Sequence, residues 1–383
     1  MSNIRYKLGF LLLGLLNNYN FIVIFSCAYA MSASHSYINP SLLILTEIIP
    51  GFITQLLYPI FLIKISYTYR FIFLFLLQIS SSLSLIVSQE SNLALIFSGI
   101  IFVSINSYLG ESSILSLSSF YERSEMKFWS IGTGLAGMLG TGVFLLLNQV
   151  IDPKIIFALN LVLYLIFYSV GLYLLEYRTR IVEKTKEATT SQDENPVPLE
   201  EFDLSSNEIQ IAIPATFQSK FQKIKTLFLN SSSLIVAYFL AYFVGFCYVP
   251  LLSSSNFEYQ VLQFITRTAF FFGRFTGNYI PFVNQIKEKH IRLGTLFHLY
   301  TFFILLVYTG FIVAKIQVPI GIIYLSFILS YLFIGISYPM VYNFIYTNYE
   351  SEKEWYMGSV GQFTSFFTIL GCTLGYPLFM LLK

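Results

Sequence analysis

The run IIFALNLVLYLIFYSVGLYLL, residues 155–175, contains no Asp, Glu, Lys or Arg. Because an α-helix rises 1.5 Å per residue, about 20 such residues cross the ~30 Å hydrocarbon core of a bilayer. The run is apolar throughout and lacks the polar–apolar alternation of a membrane β-barrel strand. It therefore predicts a transmembrane helix.

Ten further apolar runs of similar length lie on either side of this one. The eleven predicted spans are 8–30, 41–63, 70–88, 92–115, 128–150, 154–176, 230–252, 258–282, 293–314, 317–346 and 356–382. The first is too long for a cleaved signal peptide, and ten more follow it. We therefore expect an all-α fold, a polytopic transmembrane bundle of about eleven helices.

The composition excludes a soluble enzyme. Hydrophobic residues make up 56% of the 383 residues and charged residues only 11%, whereas soluble domains carry about 25% charge. Cys27, Cys247 and Cys372 all lie in apolar spans, without metal-ligand spacing. We expect no catalytic constellation, no metal, no cofactor and no nucleic-acid partner.

The distribution of Lys and Arg predicts the topology. With the N-terminus in the cytosol, only Lys154, Lys315 and Lys383 of the 22 Lys and Arg fall on the opposite side. Arg267 and Arg274 lie inside the membrane, and all the others are cytosolic. The positive-inside rule favours this orientation.

One long polar stretch divides the spans into six and five. We expect an N-terminal bundle at 1–176, a largely disordered cytosolic linker at 177–229 and a C-terminal bundle at 230–383. The composition of 183–210 is typical of disorder, and this segment is open to cytosolic protein partners. Residues 217–228 mix Phe and Lys in a pattern that suits either a short helix on the cytosolic leaflet or a plain linker. Two bundles about a central site are a common transporter layout.

Four ionisable residues interrupt the apolar spans: Glu47, Glu111, Arg267 and Arg274. Such a group costs about 2.5–3.5 kcal/mol at mid-bilayer on insertion scales, so it usually faces a cavity or a partner. Arg267 and Arg274 are seven residues apart and share one face of their helix.

Two interpretations of these charges remain open. In the first, they line a polar cavity in which Arg binds an anionic group and Glu carries a proton. In the second, they form structural Glu–Arg pairs, with amides such as Asn17 and Asn18 joining helices.

The fifth span contains GTGLAGMLGTG, residues 132–142. The spacing matches a dinucleotide-binding fingerprint, but no strand precedes it, so we reject that function. Gly132, Ala136 and Gly140 form one stripe of small residues, and Thr133, Gly137 and Thr141 form another. Both stripes favour close helix packing, and Thr133 is also a candidate for lining a transport path.

The chain resembles the battenin family of lysosomal and vacuolar membrane proteins. The strongest stretch runs without a gap from Gly110-Glu111 through Trp129-Ser130 to Leu139-Gly140. Gly14-Leu15 with Asn17-Asn18 resembles the opening of the family. The resemblance is dense through residue 140 and patchy afterwards.

The resemblance implies a fold similar to the major facilitator and equilibrative nucleoside transporters, in a lysosomal or vacuolar membrane. It also implies a role in vacuolar pH, basic amino-acid transport or glycerophosphodiester export. This chain departs from the family at Ala241 and Leu332, where the family has acids, and at Gly273 and Phe275, where it has Ser.

We therefore predict a transporter that works by alternating access and moves a small polar metabolite, with or without protons, in a lipid bilayer. The residues assigned to the substrate or proton path are Glu47, Glu111, Arg267, Arg274, Asn17, Asn18 and Thr133. The paired arginines favour an anionic substrate. The alternative is a non-transporting membrane regulator of vacuolar pH or vesicle traffic.

Overall fold

The computed structural model describes residues 4–34, 40–88, 92–191, 217–253, 255–279, 286–314, 320–350 and 352–382, and these residues contain helices but no strand. The helices are α1 (Ile4–Ser34), α2 (Pro40–Leu57), α3 (Tyr67–Val87), α4 (Leu93–Ser118), α5 (Arg123–Leu147), α6 (Pro153–Ser191), α7 (Phe217–Asn230), α8 (Ser232–Leu252), α9 (Asn256–Tyr279), α10 (Glu288–Val313), α11 (Ile320–Asn348), α12 (Lys353–Ser359) and α13 (Gly361–Leu382). Each predicted span falls on one of them, and the last span falls on α12 and α13 together.

Nine stretches of the described chain are long and apolar enough to cross a membrane. They cover α1, α3 to α6, α8, α10, α11, and α12 with α13. Two predicted spans fall short of that standard. The apolar part of α2, Leu42–Leu57, is shorter, and α9 carries Glu258, Arg267 and Arg274.

Two helix boundaries differ from the prediction by more than five residues, each for a local reason. The second span was expected to reach residue 63, but α2 ends at Leu57, because Pro59 disfavours helical geometry at the residue before it. The sixth was expected to end at 176, but α6 continues to Ser191 through Glu, Lys and Ala residues that favour a helix. The rest of the expected disordered segment, 192–210, lies outside the described residues, and 217–230 forms α7.

The helices pack as two sets around a shared interface. In the first set α1 contacts α4, α5 and α6, α3 contacts α4 and α6, and α2 contacts α4. In the second set α8 contacts α10, α11 and α13, and α9 contacts α11. The sets meet where α5 packs against α9, α2 against α13 and α4 against α12.

Glycines permit the closest helix contacts. A Cβ on Gly132 would overlap the backbone oxygen of Leu11, so α1 and α5 are nearly in backbone contact. The first predicted stripe therefore packs against α1, which confirms the packing interpretation. The second stripe faces α9, where a Cβ on Gly137 would lie 3.6 Å from Arg267 Cβ.

Helix ends that carry predicted cytosolic cations such as Arg70 and Arg123 meet at one face of the molecule. There Arg70, only 2% exposed, donates to the Tyr58 hydroxyl at 2.6 Å, and Tyr58 donates to Ser116 Oγ at 2.8 Å. Ser116 in turn donates to the backbone oxygen of Glu354 at 3.0 Å, and Tyr67 donates to the Glu354 carboxylate at 2.6 Å. We call these five residues the Glu354 network; it ties α12 to α3 and α4.

A second group of contacts at the same face joins other elements. Arg123 Nε donates to Asn343 Oδ1 at 2.9 Å and so links α5 to α11. Lys223 of α7 forms an ion pair with Glu352, immediately before α12. The two helix sets are thus held together at the face that is predicted to be cytosolic.

Substitution of Gly132 by Ala should destabilise the protein by about 1–3 kcal/mol, because the added methyl group meets backbone that cannot rotate away. Gly310→Ala is the matched control, since nothing lies within 4 Å of its Cβ position. Thermal unfolding of the detergent-purified protein measures the difference. Equal melting temperatures for the two variants would contradict the close contact of α1 and α5.

Candidate functional site

A cavity of about 70 Å³ lies between the two helix sets. This volume admits several water molecules. The first set contributes α1, α4 and α5, and the second contributes α8, α9 and α11. The lining residues are Asn18, Phe21, Ile22, Ser107, Tyr108, Glu111, Thr133, Gly137, Tyr238, Ala241, Tyr242, Arg267, Phe270, Arg274, Tyr331 and Ile334.

Arg274 joins the two helix sets at the cavity. Its guanidinium donates to Thr133 Oγ1 of the first set and to the Tyr238 hydroxyl of the second, the latter at 3.2 Å. Its Cζ lies 3.8 Å from the ring centroid of Tyr338 and 4.4 Å from that of Phe270. Although its side chain is 2% exposed, its charge is therefore stabilised by two hydrogen bonds and two aromatic faces.

Glu111, on α4, also lines the cavity and belongs to a short hydrogen-bonded chain. Tyr338 donates its hydroxyl hydrogen to Glu111 Oε1 at 3.0 Å. The same hydroxyl accepts a hydrogen bond from Trp129 Nε1, also at 3.0 Å. Tyr338 thus contacts both the acid and Arg274, whose guanidinium lies over its ring.

Arg267 lies two turns before Arg274 on α9 but has different surroundings. Its Nε is buried, and its guanidinium forms no hydrogen bond or ion pair with any other described residue. Its Cζ is 5.2 Å from the ring centroid of Phe25. Among the described residues Arg267 therefore has none of its donors engaged, whereas Arg274 uses two of its five.

Glu47 does not line the cavity. Its side chain is 0% exposed, and within the described part of the chain neither carboxylate oxygen has a hydrogen-bond partner. Its electrostatic partner is Arg267. The structure therefore places this predicted path residue behind the wall of the cavity.

The predicted path residues with amide or hydroxyl side chains also differ in position, since some line the cavity and one does not. Asn17 Nδ2 donates to the backbone oxygen of Ser107 at 2.9 Å, and Ser107 Oγ donates back to the backbone oxygen of Asn17 at 2.7 Å. Asn17 thus joins α1 to α4, as the structural interpretation of the amides expects. Asn18 and Thr133 line the cavity.

The sequence interpretation missed the tyrosines of the site. Tyr108, Tyr238, Tyr242 and Tyr331 line the cavity, and Tyr338 connects its charges. With 28 tyrosines in the chain, residue type alone does not single these out. Their position within the spans could have identified them, because a tyrosine in the middle of a span needs a hydrogen-bond partner for its hydroxyl group.

Two departures from the battenin pattern also lie at or near the cavity. Ala241 lines it, and its backbone oxygen accepts a hydrogen bond from the Tyr331 hydroxyl at 2.8 Å. A Cβ on Gly273 would overlap the backbone oxygen of Leu332 and would lie 2.9 Å from Gly335 Cα. Glycine at 273 therefore allows α9 and α11 to approach more closely than serine would.

The chemistry available at the cavity is binding. Two guanidinium groups can hold a phosphate or carboxylate, and one carboxylate can accept a proton or an ammonium group. Among the described residues, no group of three or more His, Cys, Asp and Glu could hold a metal ion.

Comparison with known proteins gives a consistent set of similarities. The sequence model of the family described as CLN3 protein matches residues 8–382. Protein BTN1 of Candida glabrata is 28% identical over 298 residues, which are 76% of this chain and 69% of that relative. Battenin of Canis lupus familiaris is 29% identical over 168 residues, which are 37% of this chain and 38% of that relative.

A solved structure supports the fold. The proton:xylose symporter XylE, of the major facilitator superfamily, superposes with a TM-score of 0.62 over 96% of this chain and 87% of that chain. At 10% sequence identity this likeness concerns the fold alone. It confirms the predicted major-facilitator-like helix bundle, and the chain is a multi-pass membrane protein.

Removal of the Tyr338 hydroxyl by a Tyr338→Phe substitution should cost about 1–3 kcal/mol, because Trp129 Nε1 and Glu111 each lose a partner in a buried site. Tyr300→Phe is the control, since Tyr300 is 63% exposed. Thermal unfolding in detergent measures both. A Tyr338→Phe variant as stable as the control would show that the Trp129–Tyr338–Glu111 chain does not form.

Proposed function

Because the chain belongs to the CLN3 protein family, the family of battenin and BTN1, we propose that it is a transporter working by alternating access. The observation that carries the proposal is a cavity lined by Glu111, Arg267 and Arg274 between two helix sets. Burying three ionisable groups in a membrane is costly, so a binding function is the best reason for their presence.

Alternating access requires the two sets to move about the cavity. The sets meet through helix packing of α5 on α9, α2 on α13 and α4 on α12. Individual hydrogen bonds such as Arg123–Asn343 and Arg274–Thr133 add to this interface. Such bonds exchange for bonds to water when the interface opens. The Glu354 network and the Arg123–Asn343 bond would then break as the predicted cytosolic face opens.

The residues of the cavity have distinct proposed roles. Arg267 and Arg274 bind the anionic part of the substrate with their planar forks. Glu111 binds a cationic part or carries a proton, and Asn18 and Thr133 supply hydrogen bonds.

Two predicted path residues lie outside the lining and have supporting roles. Asn17 holds α1 against α4 beside the cavity through its paired bonds with Ser107. Glu47 senses protons through its electrostatic interaction with Arg267.

The substrate is a small polar metabolite, and two classes fit. A glycerophosphodiester suits the two arginines, and a basic amino acid suits Glu111. With Glu47 behind the wall, the lining itself carries two cations and one acid, which favours the anionic substrate. We place the transporter in the lysosomal or vacuolar membrane, with its N-terminus in the cytosol and an effect on organelle pH.

Reconstituted liposomes provide the direct test of the site. Uptake of the substrate should fall by tenfold or more in Arg274→Ala and in Glu111→Gln, since each removes a charge-assisted contact of about 1.5–3 kcal/mol. Arg292→Ala is the matched control, because Arg292 is 71% exposed and pairs with Glu288 at the surface. Unchanged uptake in both cavity variants would refute the assignment of these residues.

A reversible cross-link tests the movement. With Cys at 123 and at 343, a short methanethiosulfonate cross-linker should stop transport, and reduction should restore it, because the sets could no longer separate. The control pair is Ser232→Cys with Thr295→Cys, whose hydroxyl oxygens lie 2.9 Å apart within the second set. Full transport with the 123–343 link in place would exclude opening at this face.

A further inference from the structure

Four of the described tyrosines line the cavity, and their hydroxyl groups differ in whether the protein already uses them. Tyr331 donates its hydroxyl hydrogen to a backbone oxygen at 2.8 Å. The Tyr238 hydroxyl accepts from Arg274 at 3.2 Å, and no described residue accepts its hydrogen in turn. Tyr108 and Tyr242 form no hydrogen bond with any described residue. We call Tyr108, Tyr238 and Tyr242 the donor tyrosines, because each has an O–H group without an acceptor in the described part of the chain.

The hydroxyl groups of Tyr108 and Tyr242 are open to the cavity and not sealed in the protein. Two other tyrosines, Tyr164 and Tyr168, also lack a hydrogen-bond partner among the described residues, but their hydroxyl oxygens are shut off from any accessible space. The oxygens of Tyr108 and Tyr242 are not among those sealed atoms, and both residues line the cavity. A ligand in the cavity can therefore reach them.

Packing holds the rings of these two tyrosines in place. A Cβ on Gly51 would overlap the ring of Tyr108, so this ring lies directly on the backbone of α2. The ring of Tyr242 meets Phe25 edge to face, with centroids 6.2 Å apart, and Arg267 Cζ lies 5.2 Å from the same Phe25 centroid. Because the rings are already ordered, a hydrogen bond from either hydroxyl to a ligand costs little side-chain entropy.

The cavity offers a ligand many donors and few acceptors. Beside the donor tyrosines, Arg267 has a guanidinium with no donor engaged by a described residue. The hydroxyls of Ser107 and Thr133 already donate to backbone oxygens. Of the described residues that line the cavity, Glu111 is the one acid, and Tyr338 already donates to one of its carboxylate oxygens. The best-matched ligand group therefore brings several acceptor oxygens and no donors, which describes an oxyanion.

We propose that the donor tyrosines and Arg267 form one oxyanion subsite, in which the guanidinium balances the charge and the phenol O–H groups donate to the oxygens. The subsite rests on the proposed transport function and specifies where in the cavity the anionic part of the substrate binds. That part is either a phosphodiester or the carboxylate of an amino acid. A ligand without it would leave the donor tyrosines unpaired in a buried site, and such sites discriminate strongly against the analogue that lacks the matching group.

The subsite includes residues of both helix sets. Tyr108 belongs to α4 of the first set, whereas Tyr238 and Tyr242 lie one turn apart on α8 of the second. An oxyanion that is bonded from both sides adds contacts across the interface only while the cavity is closed around it. These contacts stabilise the closed state when the substrate is bound, relative to the empty protein.

Binding to the full-length protein in detergent tests the subsite with two pairs of probes. Glycerophosphoglycerol is compared with diglycerol, which lacks the phosphate, and lysine with cadaverine, which lacks the carboxylate. Titration calorimetry should show binding of at least one anion-bearing probe and not of its analogue. Tyr108→Phe and Tyr242→Phe should each bind that probe roughly tenfold more weakly, because each loses a hydrogen bond to a charged group. Tyr300→Phe, at a tyrosine that is 63% exposed, is the control and should bind as the wild type.

Melting temperatures distinguish a contact with the ligand from a structural role. Tyr108→Phe and Tyr242→Phe should leave the melting temperature of the empty protein unchanged or higher, because no hydrogen bond to the described residues is lost. Tyr331→Phe should lower it, since the backbone oxygen of Ala241 would lose its partner.

Several results would overturn the inference, and they are distinct from failure of the transport proposal. Unchanged affinity in both Phe variants would show that the hydroxyls do not contact the ligand. Lower melting temperatures of the same two empty variants would show that the hydroxyls have structural partners instead. An analogue that binds as tightly as its anionic counterpart, or no binding of either anionic probe, would refute an oxyanion subsite. Uptake by the wild type in liposomes, and its loss in Arg274→Ala, decides the transport proposal separately.

Discussion

The charge of Arg274 is stabilised at the point where the two helix sets meet, and the arrangement of the site depends on this interaction. A guanidinium at this depth needs hydrogen-bond acceptors or aromatic faces to be tolerated. It finds them on both sides of the interface, in Thr133 on one side and in Tyr238, Phe270 and Tyr338 on the other. The same contacts that satisfy the charge therefore hold the halves of the molecule in register around the cavity.

Small residues on α5 make this interaction possible. A Cβ on Gly134 would lie 3.1 Å from Arg274 Cδ, so the stem of the arginine lies directly on the α5 backbone. On its opposite stripe, α5 packs closely against α1 through Gly132. The helix α5 thus packs tightly within the first set on one face and contacts Arg274 of the second set on another.

Much of this architecture could be predicted from the sequence, because the bilayer imposes length and apolarity on each span. Those constraints place eleven spans on helices and single out charges such as Glu111 and Arg274 as exceptional. They do not reveal which side of a helix faces the cavity, because that depends on packing between distant segments. Asn17 and Asn18 are neighbours, yet one joins α1 to α4 and the other lines the cavity.

The same limit of sequence-based prediction applies to Glu47. The free-energy cost of placing its carboxylate in lipid is evident from the sequence, but its position behind the cavity wall is not. The tyrosines were missed for a different reason, because a common residue becomes functional only through its neighbours. Tyr338 gains its role from Trp129, Glu111 and Arg274, and these four residues come from four separate spans.

The low apolarity of α9 has a consequence for biosynthesis. This helix is not among the described stretches that are apolar enough to cross a membrane by themselves, and its cover comes from α5 on one side and α11 on the other. When α9 leaves the ribosome, α5 has already been made but α11 has not. The arginines of α9 must therefore pack against the helices already synthesised, or α9 must remain in the translocon until α11 has been made.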